Sequence, residues 1–360
     1  MAVIKNIEIH KIKKSRLAPA LLDNPVFGTV FSDHMLSMDF RDGRWATPVV
    51  VPFANIEVSP ALMTLHYGQA IFEGLKAFHT ADGSINIFRP DKYHERMLRS
   101  SARLCIPPVS YDDFLGGLTA LVKTDRLWVP SKKGCSLYIR PFIFATDNYL
   151  GVRVSDTYKF LIITSPVGAY YKEGINPVRL TTPGEYVRAV KGGLGSAKTP
   201  ANYAASLLPA EEAKKKGFTQ VLWLDAIEKR YVEEVGTMNI FFLIGDELAT
   251  PSLEGSVLSG VTRDSVIRVA KDWGVKVTER RISIDEVFAA SQKGALKEAF
   301  GTGTAAVISP VGEIHHMEAS IRINRGETGP FSKKMYDYIT GLQYGEIKDE
   351  RGWIYTIPAE

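Results

Sequence analysis

The stretch VKGGLGSAKTPANY, Val190 to Tyr203, sets three glycines (Gly192, Gly193, Gly195) just ahead of one lysine, Lys198, and the rest of the chain is organised around it. Glycine opens backbone conformations closed to other residues and lets the chain come close to a ligand. Pro200 suits a first helical turn, and the apolar and small residues of ANYAASLLPAEEA recur at helical spacing up to Gly217. Lys198 is therefore expected at a loop-to-helix junction. Three readings are open there. A phosphate-binding loop needs G-x-x-x-x-G-K-[ST]; Gly192 to Thr199 reads GGLGSAKT, with Ala197 where the second glycine belongs and VLWLD (Val221 to Asp225) as a matching metal-binding strand. A covalent lysine would instead form a Schiff base with a carbonyl cofactor and move protons. The third reading is a solvated surface lysine.

At 360 residues the chain fits two domains, and 45% hydrophobic with 23% charged residues is the balance of a folded, water-soluble protein. Lys+Arg 44 against Asp+Glu 40 leaves +4 with no basic tract, which argues against a nucleic-acid partner. The start, MAVIKNIEIHKIKK, lacks the apolar core of a signal peptide, and no apolar run is long enough for a membrane span. Cys105 and Cys135 form no C-x-x-C pair and no disulfide framework, so a cytoplasmic location is expected.

Along the chain, strands and helices alternate. MLSMDF and TPVVVPF read as paired strands around RDGRW, and SINIF as another strand. Helices are expected from about Asp91 to Leu104 and from a cap at Ser110 and Asp113. SLYIRPFIFA and YKFLIITSPV read as central strands. The glycine- and proline-rich GAYYKEGINPVRLTTPGE marks a boundary, giving a smaller domain over 1–170, a linker over 171–185 and a larger domain over 186–360 that carries Lys198. Beyond it come the strands TQVLWLD and those around VGTMNIFFLI, a helix from Arg263 to Trp273, a short helix capped by Ser283 and Glu286, and a terminal helix near Phe331 to Gln343.

A cofactor lysine implies an anion site, a carboxylate for a heterocyclic nitrogen and a substrate recess. In VLSGVTRDS, Ser259 and Gly260 precede a helix whose N–H groups would face an anion; in FGTGTAA, Gly301 and Gly303 leave the N–H groups of Thr304 and Ala305 approachable. Arg96, Arg99 and Arg103 share a helix face as a basic stripe, of which one arginine suffices for a phosphate. The strand period puts Tyr138, Arg140 and Phe142 together, a surface for a carboxylate with an apolar tail. Glu233 and Glu234 point to opposite faces of their strand, and alternation does not say which is buried. His94-Glu95 lacks the second histidine of H-E-x-x-H, and His315-His316 reads as an exposed pair, so no metal is expected.

These motifs together resemble one family. YGQAIFEGLKAF, FRPDKYHERMLRSSARLCIP, SLYIRPF, PVGAYY, GGLGSAKTPANY, QVLWLD, EVGTMNIFF, LSGVTR and AFGTGTAA follow the order found in branched-chain amino-acid aminotransferases, pyridoxal phosphate enzymes of fold type IV. The resemblance implies an α/β (α+β) two-domain fold with the cofactor site between the domains. It implies that Lys198 is the Schiff-base lysine, that Arg96 binds the phosphate, that Glu234 contacts the pyridine nitrogen and that Tyr203 bonds the ring hydroxyl. Thr304, Gly260, Val261 and Thr262 would complete the phosphate cup, Leu258 would pack on the ring, and Thr237 and Asn239 would also reach the cofactor. Tyr67, Phe72, Tyr138, Arg140, Tyr170, Thr237, Thr304 and Ala305 match positions around the substrate. The implied reaction moves an amino group from leucine, isoleucine or valine to 2-oxoglutarate. Relatives of the same fold act on D-amino acids or on aminodeoxychorismate. Ala306 and Ser309 stand where some members carry a C-x-x-C pair, so no thiol switch is carried over. A homodimer, in which the partner chain could donate Tyr67, is implied as well.

Overall fold

The stretches SLYIRPFIFA and YKFLIITSPV are neighbouring strands, Ser136–Ala145 and Tyr158–Val167, paired antiparallel along their whole length. A computed structural model describes residues 7–23, 25–168 and 176–359. Around that central pair, the strands of the first sheet run in the order Glu8–Ile9, Val49–Pro52, His34–Arg41, Tyr158–Val167, Ser136–Ala145, Leu75–His79, Ile85–Phe88 and Ile354–Ile357. Ala70–Phe72 adds a short antiparallel partner to Ser136–Ala145. The pairings are antiparallel except that of Glu8–Ile9 with Val49–Pro52. The long helices of this unit are Pro90–Arg103 and Tyr111–Thr124, and the second starts where the sequence places its cap: the Asp113 N–H donates to Ser110 Oγ.

The second sheet runs Val232–Val235, Gln220–Leu224, Val178–Thr181, Val307–His316, Leu296–Gly303, Asn239–Ile244, Glu247–Pro251 and Lys276–Arg280. Its core is apolar and mostly aliphatic, with Leu180, Leu222, Ile240, Ile282 and Ile314 fully buried beside Phe242. The helices Val261–Asp272 and Ile284–Gln292 belong to this unit, the second again capped as expected, by Ser283 accepting from the Glu286 N–H.

Three details differ from the reading of the sequence. The single helix expected after Lys198 is two, Pro200–Ala204 and Leu207–Lys215, because Pro209 lacks an N–H and fits only the first turn of a new helix. His315 and His316 are half-buried, hydrogen-bonded to Ser320 Oγ and Thr182 Oγ1. The division of the chain is also not linear. One compact unit comprises Met1–Tyr170, Ala197–Pro200 and Gly341–Glu360, the other Tyr171–Ser196 and Ala201–Thr340. Lys198 thus belongs to the first unit, and so does the C-terminal strand Ile354–Ile357, which pairs with Ile85–Phe88. Tyr170 and the beginning of the 171–185 linker lie outside the described residues.

Candidate active site

Lys198 is strapped into the first unit through its backbone. Its N–H donates to Ser100 Oγ at 2.9 Å and its carbonyl accepts from the Phe72 N–H at 3.0 Å, while the next residue, Thr199, donates its hydroxyl to the Ala70 carbonyl. The side chain turns to the Phe72 ring, with Nζ 4.8 Å from its centroid. Part of Lys198 reaches solvent, but its amine sits in interior surroundings. Burial first, and the Arg96 guanidinium second, bring its pKa down from 10.5 to about 8; Glu73 pulls the other way. A neutral amine is therefore accessible near physiological pH, which a solvated lysine would not offer.

Arg96 is buried, whereas Arg99 and Arg103 are exposed, so the basic stripe does not act as one surface. The reason is its partner: Nε and Nη2 of Arg96 donate to the two oxygens of Glu73, both at 2.8 Å, and Glu73 is fully buried. A bidentate pair of this kind fixes the guanidinium plane and satisfies two charges that could not otherwise leave water. On the strand Ser136–Ala145, Tyr138, Arg140 and Phe142 occupy the half-buried face between buried neighbours. Arg140 donates to Tyr138 Oη at 2.9 Å and lies 4.7 Å from the Phe72 ring centroid, so the first unit gathers Glu73, Arg96, Arg140, Tyr138 and Phe72 around one amine, Lys198. Gly74 leaves the space that Tyr138 fills, since a Cβ there would stand 2.0 Å from its hydroxyl. Tyr67 stands apart, exposed, with its hydroxyl on the Leu150 carbonyl.

In the second unit both glutamates of Val232–Val235 are buried, because this strand is covered on both faces. Glu234 accepts from the Leu258 N–H at 2.6 Å and pairs with Arg188 Nε at 3.3 Å. Glu233 accepts from Ser256 Oγ, and its carboxyl is pushed up by burial. The two carboxylates therefore pin the segment from Ser256 to Leu258. Asn239 extends the clamp by donating Nδ2 to the Leu258 carbonyl at 2.8 Å. The segment ends at Gly260, the N-cap of Val261–Asp272, which has no side-chain cap, and a Cβ on Gly260 would stand 2.0 Å from Asn239 Oδ1. Val261 and Thr262 form the buried first turn, whose N–H groups have no intrahelical partner, the arrangement that could receive an anion. Ser259 is not the cap. Across the sheet, Thr304 and Ala305 are half-buried in the turn between Leu296–Gly303 and Val307–His316, and Thr237 is exposed in the turn before Asn239–Ile244. Tyr203 is half-buried on Pro200–Ala204.

The residues from 70 to 314, which carry every one of these features except Tyr67, match the family model for amino-transferase class IV. The chain belongs to the class IV aminotransferases. Branched-chain-amino-acid aminotransferase 2 of Bacillus subtilis is 53% identical over 354 residues, covering 98% of this chain and 97% of that one. Among solved structures, the branched-chain amino acid aminotransferase of Escherichia coli is 27% identical with a TM-score of 0.74, over 89% of this chain and 98% of that one. The T.th. branched-chain amino acid aminotransferase, solved with pyridoxamine 5'-phosphate, is 28% identical with a TM-score of 0.73, over 88% and 97%.

For a class IV aminotransferase the phosphate-loop reading of GGLGSAKT falls away. The element after Lys198 is a single short turn of helix, Pro200–Ala204, and the lysine backbone is tied to Phe72 and Ser100 instead of cradling an anion. Sequence reasoning missed four residues of this aminotransferase's clusters: Glu73, Ser100, Arg188 and Ser256. Glu73 had a signal, an acidic residue directly after the apolar AIF, since a carboxylate placed among core residues needs a cation. The other three are ordinary polar residues whose partners lie far away in sequence.

Proposed function

We propose that this chain is a pyridoxal 5'-phosphate enzyme that transfers the amino group of branched-chain L-amino acids to 2-oxoglutarate, giving branched-chain 2-oxo acids and L-glutamate. The observation that carries the reading is Lys198: a backbone-anchored amine with a pKa near 8, against an aromatic ring and beside two arginines. The name of the Bacillus subtilis relative and the pyridoxamine 5'-phosphate in the T.th. structure support it.

The residues present fit such a cofactor. Gly260 lets the Asn239 side chain pack against an uncapped helix N-terminus, whose first N–H groups suit a phosphate, and the buried carboxylate of Glu234 suits a protonated ring nitrogen. When bound, the cofactor supplies a ring that withdraws electrons from the substrate α-carbon. The protein groups do the rest. Lys198 Nζ would be the attachment point and, once released, would take the α-proton and return it one carbon away. Arg96, with Gly260, Val261, Thr262 and Thr304, would hold the phosphate; Tyr203, Asn239, Thr237 and Leu258 would orient the ring. Arg140 would take the substrate carboxylate, with Tyr138, Phe72, Tyr67, Tyr170, Thr237, Thr304 and Ala305 shaping the recess. One recess must accept an apolar chain and an acidic one in turn, and the aromatic and cationic face of Tyr138, Phe72 and Arg140 offers both surfaces.

A homodimer and a cytoplasmic location complete the proposal. The exposed apolar residues Leu65, Tyr67, Tyr149, Leu150, Val152 and Val154 lie on two segments joined by bonds from Tyr67 to Leu150 and from Tyr149 to Ala61, a patch suited to a second copy. No helix among the described residues is long and apolar enough to cross a membrane.

The test is the purified chain with pyridoxal 5'-phosphate, a panel of L- and D-amino acids, and 2-oxoglutarate. The expected result is a yellow protein whose colour is fixed by borohydride on the Lys198 peptide and which converts L-leucine, L-isoleucine and L-valine. Lys198→Ala should lose turnover by at least about a thousandfold, the order of loss on removing a catalytic proton-transfer group. A colourless parent, a label on another lysine or preference for D-amino acids would overturn the reading.

A further inference from the structure

Helix Pro90–Arg103 presents Arg96 and Ser100 one turn apart, and both are buried, Ser100 completely. Serine is a mediocre helix former, and a hydroxyl taken out of water costs free energy unless it is bonded; alanine would fill the same space without either cost. The helix accepts serine at this position, and its Oγ receives the N–H of Lys198 at 2.9 Å. The neighbouring Ser101 shows the contrast, because it is equally buried and its hydroxyl has no hydrogen-bond partner among the described residues.

The contacts close into a ring. Ser100 holds Lys198 from the amide side, the Phe72 N–H holds its carbonyl at 3.0 Å, Glu73 follows Phe72 in the chain, and Glu73 grips Arg96, which returns to Ser100 along the helix. We propose that Ser100 is a positioning residue for Lys198, fixing the lysine backbone to the same helix face that carries Arg96. This rests on the reading of Lys198 as the cofactor lysine. Helix geometry, with 1.5 Å rise per residue, then makes the spacing between the amine's anchor and the arginine rigid. Fixing the reacting nitrogen this way lowers the entropic cost of capturing an aldehyde held elsewhere by its phosphate. Thr199 cannot replace it, since its bond to Ala70 restrains the residue beyond the lysine and leaves the Lys198 amide side to Ser100.

The capture is a condensation in which the Lys198 amine and the aldehyde form a C=N bond and release one water. Pyridoxamine 5'-phosphate has no aldehyde and binds without Lys198 chemistry, so the two ligands separate positioning from general fit. The experiment measures, for the cofactor-free parent, Ser100→Ala and Ser100→Cys, the rate at which pyridoxal 5'-phosphate is captured and the Kd for pyridoxamine 5'-phosphate. A lost hydrogen bond with its amide left buried, about 1.4 kcal/mol, predicts capture about tenfold slower in Ser100→Ala. The Kd for pyridoxamine 5'-phosphate should stay within about twofold of the parent, since none of its contacts is removed. Ser100→Cys, nearly the same size with a weak acceptor, should fall between and decides the matter if the alanine variant does not fold. Capture at the parental rate overturns the proposal, and so does an equal loss for both ligands, which would mark Ser100 as merely structural. A parent that captures no pyridoxal 5'-phosphate would instead sink the cofactor reading, and this inference with it.

Discussion

Lys198 and Lys76 are both drawn down to about 8 by burial, and a lysine whose folded pKa lies below its unfolded 10.5 gives up its proton first in the folded state. Below about 8 both states hold the proton and the full cost of burying it remains; between about 8 and 10.5 the unfolded chain binds more protons, so stability rises with pH. Thermal unfolding of the cofactor-free chain across that window should show this rise, and Lys198→Met should show a smaller one. An unchanged pH dependence in the variant would mean that Lys198 is not displaced. Lys76 is the natural competitor for a misplaced borohydride label, because it lies opposite Tyr138 in the sheet register. At this scale the sequence was informative about the cations. Lys198, Arg96 and Arg140 each sit in a local pattern that points to chemistry. Their partners were not legible: Glu73 lies 23 positions from Arg96 and Ser100 lies 98 from Lys198, so only folding brings them together.

Among elements, the helix Val261–Asp272 starts without a side-chain cap, which leaves its first N–H groups without intrahelical partners at the place proposed for the phosphate. Gly260→Ala would drive a methyl group into Asn239 Oδ1, break the bond from Asn239 to Leu258 and crowd that seat. Losing one hydrogen bond to a charged group, at about 1.5–3 kcal/mol, predicts pyridoxal 5'-phosphate retention weaker by about ten- to a hundredfold. Equilibrium dialysis checks it, with parental retention as the contrary result. Element positions were mostly legible. The central strands and the two serine-capped helices fall where alternation and cap residues place them. Two features were not. The break before Leu207 depends on a proline that a helical pattern absorbs silently, and the burial of both Glu233 and Glu234 depends on what covers each face of their strand.

For the whole molecule, the apolar patch around Leu150 and Val152 is the property that a single chain does not explain. If a second copy covers it, Leu150→Lys combined with Val152→Asp should shift the protein from dimer to monomer in sedimentation, since burying two charges at an apolar contact costs several kcal/mol. A parent that sediments as a monomer would refute the assignment. The sequence by itself determined the family, the helix and strand periods and the residue types able to hold a phosphate, an amine and a carboxylate, because these depend on neighbours along the chain. Only the tertiary structure decided that Lys198 and the C-terminal strand belong with the first unit, that Glu73 holds Arg96, and that Ser100 anchors the lysine. Those facts depend on which distant segments exclude water from one another, and no local pattern encodes that pairing.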